Sequence, residues 1–194
     1  IPAVETPANI RAAEKAMREL NAGYLTVMFE GKYTDTYLAQ DAPKYTTDDL
    51  RIISSPIDFV GINVYMPDHY VVAADNERGF TLAPFPASFP HMKATWLRPG
   101  PETMYWVPRH VANIWNVKSI YITENGCGGN DGSPGETPDA RGHIEDKHRL
   151  SYLKQHSAAM ESAMAKGADV RGYFVWSLLD NFEWGSGYAQ RFGI

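Results

Sequence analysis

Cysteine is almost missing from this sequence: Cys127 stands alone among 194 residues. A single thiol excludes an internal disulfide and any metal cluster built on several cysteines. No run of basic residues occurs, and 18 Lys and Arg against 23 Asp and Glu leave a formal net charge of -5. That balance is a poor match for nucleic acid or an anionic membrane surface. No apolar stretch approaches the ~20 residues that a membrane-spanning helix needs. The opening IPAVETPANI has neither a basic n-region nor an apolar h-region, so no signal peptide is expected in it. A cytoplasmic location fits, unless a longer chain carries a signal upstream. Short-period repeats and low-complexity tracts are absent as well.

What the chain does have is apolar and aromatic content. Hydrophobic residues make up 44% and aromatics 12%, enough for one domain with a substantial core. Aromatic rings fill cores, and they also stack on sugars or bases, so their positions have to decide.

The periodicity predicts a helix near residues 6–20, with Thr6 as cap, Pro7 in the first turn, and Ile10, Ala13, Met17 and Leu20 at helical spacing. Asn21 and Gly23 are expected to end it. GYLTVMFEGKYTDTYLAQ reads as loop and short helix. The run IDFVGINVY (57–65) predicts a buried strand. A long Pro-rich excursion from ADNERGF to RPGPE reads as a functional or disordered loop. A second helix is predicted over 103–116, with Pro108 awkwardly inside it, then a strand KSIYITE (118–124). A Gly-rich loop, 125–143, leads to a long helix, 144–166, with Leu150, Leu153, Ser157, Met160 and Met164 expected along its packed face and Gly167 as its stop. VRGYFVWSLLD (170–180) predicts a third strand. The order helix, strand, helix, strand, helix, strand implies parallel βαβ units.

Polar and acidic residues gather where each predicted strand ends: Asn63 and Tyr65, then Glu124, then Asp180 to Trp184. Parallel α/β folds bind ligands at the C-terminal ends of their strands. Glu124 is therefore either an ordinary strand-end acid facing water or a group placed for chemistry. Three parallel strands alone would leave two unpaired sheet edges, which points to a portion of a larger protein.

Three stretches carry a resemblance. DFVGINVYMP (58–67), YITENG (121–126) and GYFVWSLLDNFEWGSGYAQRFGI (172–194) resemble, in the same order, motifs of glycoside hydrolase family 1, the β-glucosidase family. The opening of the chain resembles the segment after the fifth barrel strand in that family. The resemblance implies an α/β fold: a partial TIM (β/α)8 barrel, 1–194, corresponding to roughly strands six to eight with their helices. It implies hydrolysis of terminal β-glycosides with retained configuration, no cofactor and no metal. Position by position, Glu124 corresponds to the nucleophile and Tyr65 to the tyrosine that hydrogen-bonds it, with Asn63 beside them. Trp176 resembles the platform beneath the sugar, Glu183 the acceptor from O4 and O6, Trp184 the indole donor to O3, Phe192 the aromatic wall and Trp96 the ring beside the leaving group. Val64 stands where the family usually has a further tyrosine.

Retaining glycosidases use two carboxyl groups about 5–5.5 Å apart, one ionised nucleophile and one acid/base. A tyrosine hydroxyl donating to a carboxylate favours its charged form. A carboxylate at Glu183 would repel a phosphate on O6, so 6-phosphoglycosides are not expected as substrates. The family's acid/base lies in an Asn-Glu-Pro motif at the end of the fourth strand, and no such motif occurs here. The expected partners are a β-glucoside or oligosaccharide substrate and a complementary N-terminal barrel segment, as a separate chain or a missing part. The alternative is a non-hydrolytic fragment that only binds sugar or assembles with a complementary chain. Packing roles remain open for Tyr65, Trp96, Trp176 and Trp184, as does simple backbone satisfaction for Asn63. Asp131, Glu136 and Asp139 fit no calcium-loop spacing, and His143, His148 and His156 are expected to be solvated or capping. Cys127 reads as an incidental thiol that would meet reagents only if it faced the site.

Overall fold

The computed structural model describes residues 1–39, 44–92, 94–129 and 138–194. The chain divides into two compact units, one of Ile1–Val60, Asp68–Phe85 and Arg109–Lys118, the other of Gly61–Pro67, Pro86–Pro108 and Ser119–Ile194. Among the described residues no helix is long and apolar enough to cross a membrane.

In the first unit, α1 (Pro7–Ala16) starts where expected: the Thr6 side chain accepts from the Asn9 N–H, and Pro7 occupies the first turn. It runs into a π-helical turn, Met17–Asn21. Gly23 does not end a helix but opens α2 (Gly23–Glu30), because Leu25, Thr26 and Val27 are buried and helical packing overrides the glycine. The segment expected to be loop and short helix holds two short helices, α2 and α3 (Asp35–Leu38). A further helix, α4 (Thr47–Ile53), was not anticipated, although Thr46 and Asp49 form a reciprocal capping box legible in the sequence. The Pro-rich excursion also hides a strand. β2 (Tyr70–Ala73) and β3 (Phe80–Ala83) pair antiparallel, Tyr70 opposite Ala83. Their turn is built by Asn76, whose side chain accepts from the Gly79 N–H, and by Gly79 at φ 76°. Ala12, Ala13 and Ala16 pack against Val71 and Phe80, the small side chains letting helix and hairpin approach closely.

In the second unit, β1 (Val60–Asn63, its first residue belonging to the other unit), β4 (Ile120–Asn125) and β5 (Val170–Val175) form one sheet in the order β1-β4-β5, with β4 and β5 parallel. All three are shorter or shifted relative to expectation, and β4 ends on Asn125 rather than Glu124. α5 (Glu102–Trp115), whose residues from Arg109 onward belong to the first unit, tolerates Pro108 within it. α6 (Lys147–Ala165) is capped by Asp146. Its buried residues are Tyr152, His156 and Ala163, while Leu150 and Met164 are exposed. The apolar spacing in the sequence marks the packed face only in part: Leu153 packs against the core, but the fully buried positions hold a tyrosine and a histidine. His156 is accordingly buried, not solvated: its ring stacks on Tyr152 with centroids 3.7 Å apart.

Two buried histidines have a consequence for pH. His110, 3.6 Å from the Glu14 carboxylate in the first unit, and His156 in the second are both held below the ordinary imidazole pKa, chiefly by burial. The unfolded chain therefore binds more protons than the folded one near pH 6. Stability is fully present above the ordinary histidine pKa and is lost as the pH falls through it. The urea midpoint of the chain is expected to drop between about pH 7.5 and about pH 5.5; a flat or rising midpoint would contradict buried neutral imidazoles.

Candidate active site

The site lies wholly within the second unit and begins with a register change. Ile122 pairs with Tyr173 and Asn125 with Val175, so β4 advances three residues while β5 advances two. The extra residue is a bulge spanning Thr123 and Glu124. A bulge breaks strict alternation and re-aims the side chains it carries, which lets Asn125 bury itself while Glu124 turns toward Tyr65.

The Tyr65 hydroxyl donates to Glu124 Oε2 at 2.8 Å. The pKa of Tyr65 is pushed far above that of an ordinary phenol, first by burial and then by this bond and the charges of Glu124 and Glu183. The phenol thus stays protonated and remains a donor at any physiological pH. Backbone pairing supports the contact, since the Val64 N–H donates to the Glu124 carbonyl at 2.9 Å. Asn63 is fixed from the same strand: its Oδ1 accepts from Thr123 Oγ1 at 2.8 Å. With the amide oxygen engaged, its NH2 group is the part left to face other partners.

Aromatic rings surround this carboxylate. Trp96 meets Tyr65 edge-on, with centroids 5.8 Å apart, and Phe192 lies nearly parallel to Trp96 at 6.4 Å. Trp96 is about half exposed, whereas Phe192 is buried in a cluster with Cys127, Tyr152 and Leu97. Cys127 is fully buried in that same cluster, closed to solvent reagents.

Beyond β5, the Trp176 indole N–H donates to Glu183 Oε1 at 3.1 Å. This bond orients the Glu183 carboxylate beside the half-buried Trp176 ring. The C-terminal segment is tied down by the Ser177 N–H to the Phe192 carbonyl and the Gly193 N–H to Asp180 Oδ1, both 2.9 Å. Trp184 is 84% exposed and sits at φ 47°, a left-handed conformation that costs a bulky residue of order 1 kcal/mol.

The structure thus brings Tyr65, Glu124, Trp96 and Phe192 together, pairs Trp176 with Glu183, sets Asn63 against Thr123, and leaves Trp184 standing in solvent. Thr123 carries no mark in the sequence although it adjoins Glu124. Tyr152 and Tyr173 are equally inconspicuous, each an aromatic inside a longer apolar pattern. The one signal was Asn125 itself, an amide at the end of an apolar strand where asparagine is disfavoured. Among the described residues no group of three or more His, Cys, Asp or Glu side chains could hold a metal ion. Asp131 and Glu136 lie outside the described residues. Asp139 accepts from the N–H groups of Arg141 and His143, the bonding of a turn.

Comparison with known proteins agrees in sequence and in shape. The family profile described as Glycosyl hydrolase family 1 matches residues 1–194. A 1,4-beta-D-glucan glucohydrolase of Thermotoga neapolitana is 35% identical over 198 residues, covering 100% of this chain and 44% of that protein. Beta-glucosidase A of Thermotoga maritima is 34% identical, covering 42% of its length. The solved family 1 β-glucosidase of Thermotoga maritima in complex with isofagomine lactam superposes with a TM-score of 0.77 at 34% identity, covering 100% of this chain and 43% of that one. The chain therefore spans less than half the length of the relatives it matches, and its fold is a piece of their α/β barrel. On the match across all of its residues, this chain belongs to glycosyl hydrolase family 1.

Proposed function

We propose that residues 1–194 are the C-terminal portion of a retaining β-glucosidase barrel, acting on terminal β-D-glucosyl or related β-glycosyl residues. The observation that carries this reading is the 2.8 Å hydrogen bond from Tyr65 to Glu124 at the convergent ends of β1 and β4. A nucleophilic carboxylate has to be held in one rotamer and presented to a ring carbon; the hydrogen bond from the half-buried Tyr65 phenol supplies the first. In the first step Glu124 attacks the anomeric carbon, the bond from that carbon to the aglycone oxygen breaks, and an acid from the complementary part of the barrel protonates the departing oxygen. In the second step water, deprotonated by the same group, displaces Glu124 and restores the original configuration.

The other residues divide the sugar between them. Trp176 gives an apolar surface for the C–H face, Glu183 accepts from two hydroxyls by charge-assisted bonds, Asn63 directs its NH2 group at a hydroxyl, and Trp184 donates its indole N–H. Trp96 and Phe192 border the leaving group and the ring. The β-glucosidase relatives support the substrate class. The exposed row Phe174, Leu178, Leu179 and Phe182 supports a complementary barrel segment as partner, since such a run is costly to leave in water.

Tyr65→Phe in the complete barrel tests the carrying observation. Loss of a hydrogen bond to a charged acceptor is expected to lower kcat roughly 10- to 100-fold, with a smaller change in KM. Unchanged kcat would remove the support on which the reading stands.

A further inference from the structure

Asn125 is wholly buried, and a buried amide is costly unless every polar atom finds a partner. Here each one does. Its Nδ2 donates to the Val64 carbonyl at 2.7 Å and to the Tyr152 hydroxyl at 3.0 Å, and its Oδ1 accepts from the Tyr173 hydroxyl at 2.7 Å. The Tyr152 hydroxyl in turn donates to the Tyr65 carbonyl at 2.8 Å. A carbonyl only accepts, so the single Tyr152 proton goes to Tyr65 and its lone pair receives Asn125. The bonds admit one proton arrangement.

Its anchor points are the backbone of Val64 and Tyr65, just past the end of β1, and Asn125 at the end of β4. Those are the residues bearing, or adjoining, the two side chains of the Tyr65–Glu124 pair. The Val64 N–H to the Glu124 carbonyl closes the frame from the other side. Tyr152 is held by α6, with the His156 ring stacked on it and Nδ1 of His156 2.9 Å from the Tyr152 carbonyl. An apolar side chain at position 152 would fill the same core at less desolvation cost, but it would fix neither strand to the other.

We propose that Tyr152, through Asn125 and with Tyr173 bracing it, is a positioning residue that sets the distance between the Tyr65 hydroxyl and the Glu124 carboxylate. Tyr152 reaches neither group directly; it acts on the strand backbones that carry them. The inference rests on the reading of Glu124 as nucleophile.

The test uses the complete polypeptide or assembly carrying these residues, assayed per folded molecule with an aryl β-glucoside. Tyr152→Phe keeps the ring and removes the network's central hydroxyl. Misplacement by about an ångström can cost on the order of 100-fold, so a partial slackening is expected to lower kcat about tenfold with KM changed less than about twofold. In the double variant Tyr65→Phe/Tyr152→Phe, the Tyr152 change should add nothing to Tyr65→Phe, because its effect passes through that residue. Effects that multiply in the double variant, or an unchanged kcat with a lowered Tm, would overturn the proposal in favour of plain packing. If Tyr152→Phe does not fold, Tyr173→Phe, at a half-buried ring, removes one bond from the same frame. A lowered kcat that vanishes in the Tyr65→Phe background would support the proposal, and an unchanged kcat would overturn it. Glu124→Ala separates the two levels: retained turnover overturns the nucleophile reading and this inference with it, whereas an inactive Glu124→Ala beside an unaffected Tyr152→Phe overturns the positioning role alone.

Discussion

Glu124→Ala, introduced into the complete barrel, is expected to reduce turnover of a β-glucoside by about 10⁴-fold or more, the scale seen when a covalent nucleophile is deleted. Without the carboxylate no glycosyl-enzyme forms, and direct attack by water has no group placed to position it on the face that Glu124 occupied. Trp176 and its bond to Glu183, the pair proposed to hold the sugar, are untouched by the change. Binding of substrate should therefore survive while kcat collapses. Loss of the carboxylate also leaves the Tyr65 hydroxyl without its acceptor, a cost of about 1–3 kcal/mol that a half-buried site bears without unfolding. The measurement is initial rate against substrate concentration, with circular dichroism to establish that the variant is folded. A kcat within tenfold of the parent would end the assignment of Glu124.

Gly126→Ala carries the largest expected effect on stability. A Cβ built on Gly126 would lie 1.8 Å from the Trp176 carbonyl oxygen and 2.9 Å from its carbon, both backbone atoms. No rotamer change relieves such an overlap. The strands would have to part where the Trp176 N–H donates to the Asn125 carbonyl at 2.9 Å, just after Glu124 and just before the Trp176 ring. Destabilisation of about 4 kcal/mol or more is expected, the range reserved for strained or overpacked backbone. Gly185 is the matched control: a Cβ there meets nothing within 4 Å, so Gly185→Ala should stay within about 0.5 kcal/mol. Urea denaturation of the two variants beside the parent reads both numbers. Equal midpoints for Gly126→Ala and Gly185→Ala would contradict the close approach of β4 and β5 at this point.

The glycine after TEN is thus as much a part of the site as the acid, and it shows which features were open to reading in the sequence. Elements with strong local signals were legible: α1 from Thr6 and Pro7, β4 from its β-branched run, β5 from VRGYFV. So was the hydrogen bond between Tyr65 and Glu124, because whole motifs carry both residues. What escaped depended on distant partners. Strand β3 hides at the start of an excursion whose later prolines dominate its composition, and its pairing with β2 depends on a partner outside its own four residues. The packed face of α6 was legible only in part because Tyr152 and His156 are polar by type yet buried through the bonds and stacking they make with Asn125, Tyr65 and each other. The bulge that aims Glu124 is a mismatch between two strands, and neither strand alone contains it. The burial of Phe192, whose ring shares its contacts with Trp96 and Tyr65, is likewise invisible in the sequence, because the core around it is assembled from distant segments.

The central claim is that Glu124 becomes covalently attached to the sugar. The direct measurement is peptide mass mapping of the complete barrel after incubation with a 2-deoxy-2-fluoro-β-glucoside bearing a good leaving group, in which the fluorine slows release of the glycosyl-enzyme. The account predicts one added fluoroglucosyl mass, on the peptide containing YITENG and localised to Glu124. An adduct on another carboxylate, or turnover of ordinary β-glucoside with no adduct at all, would contradict it.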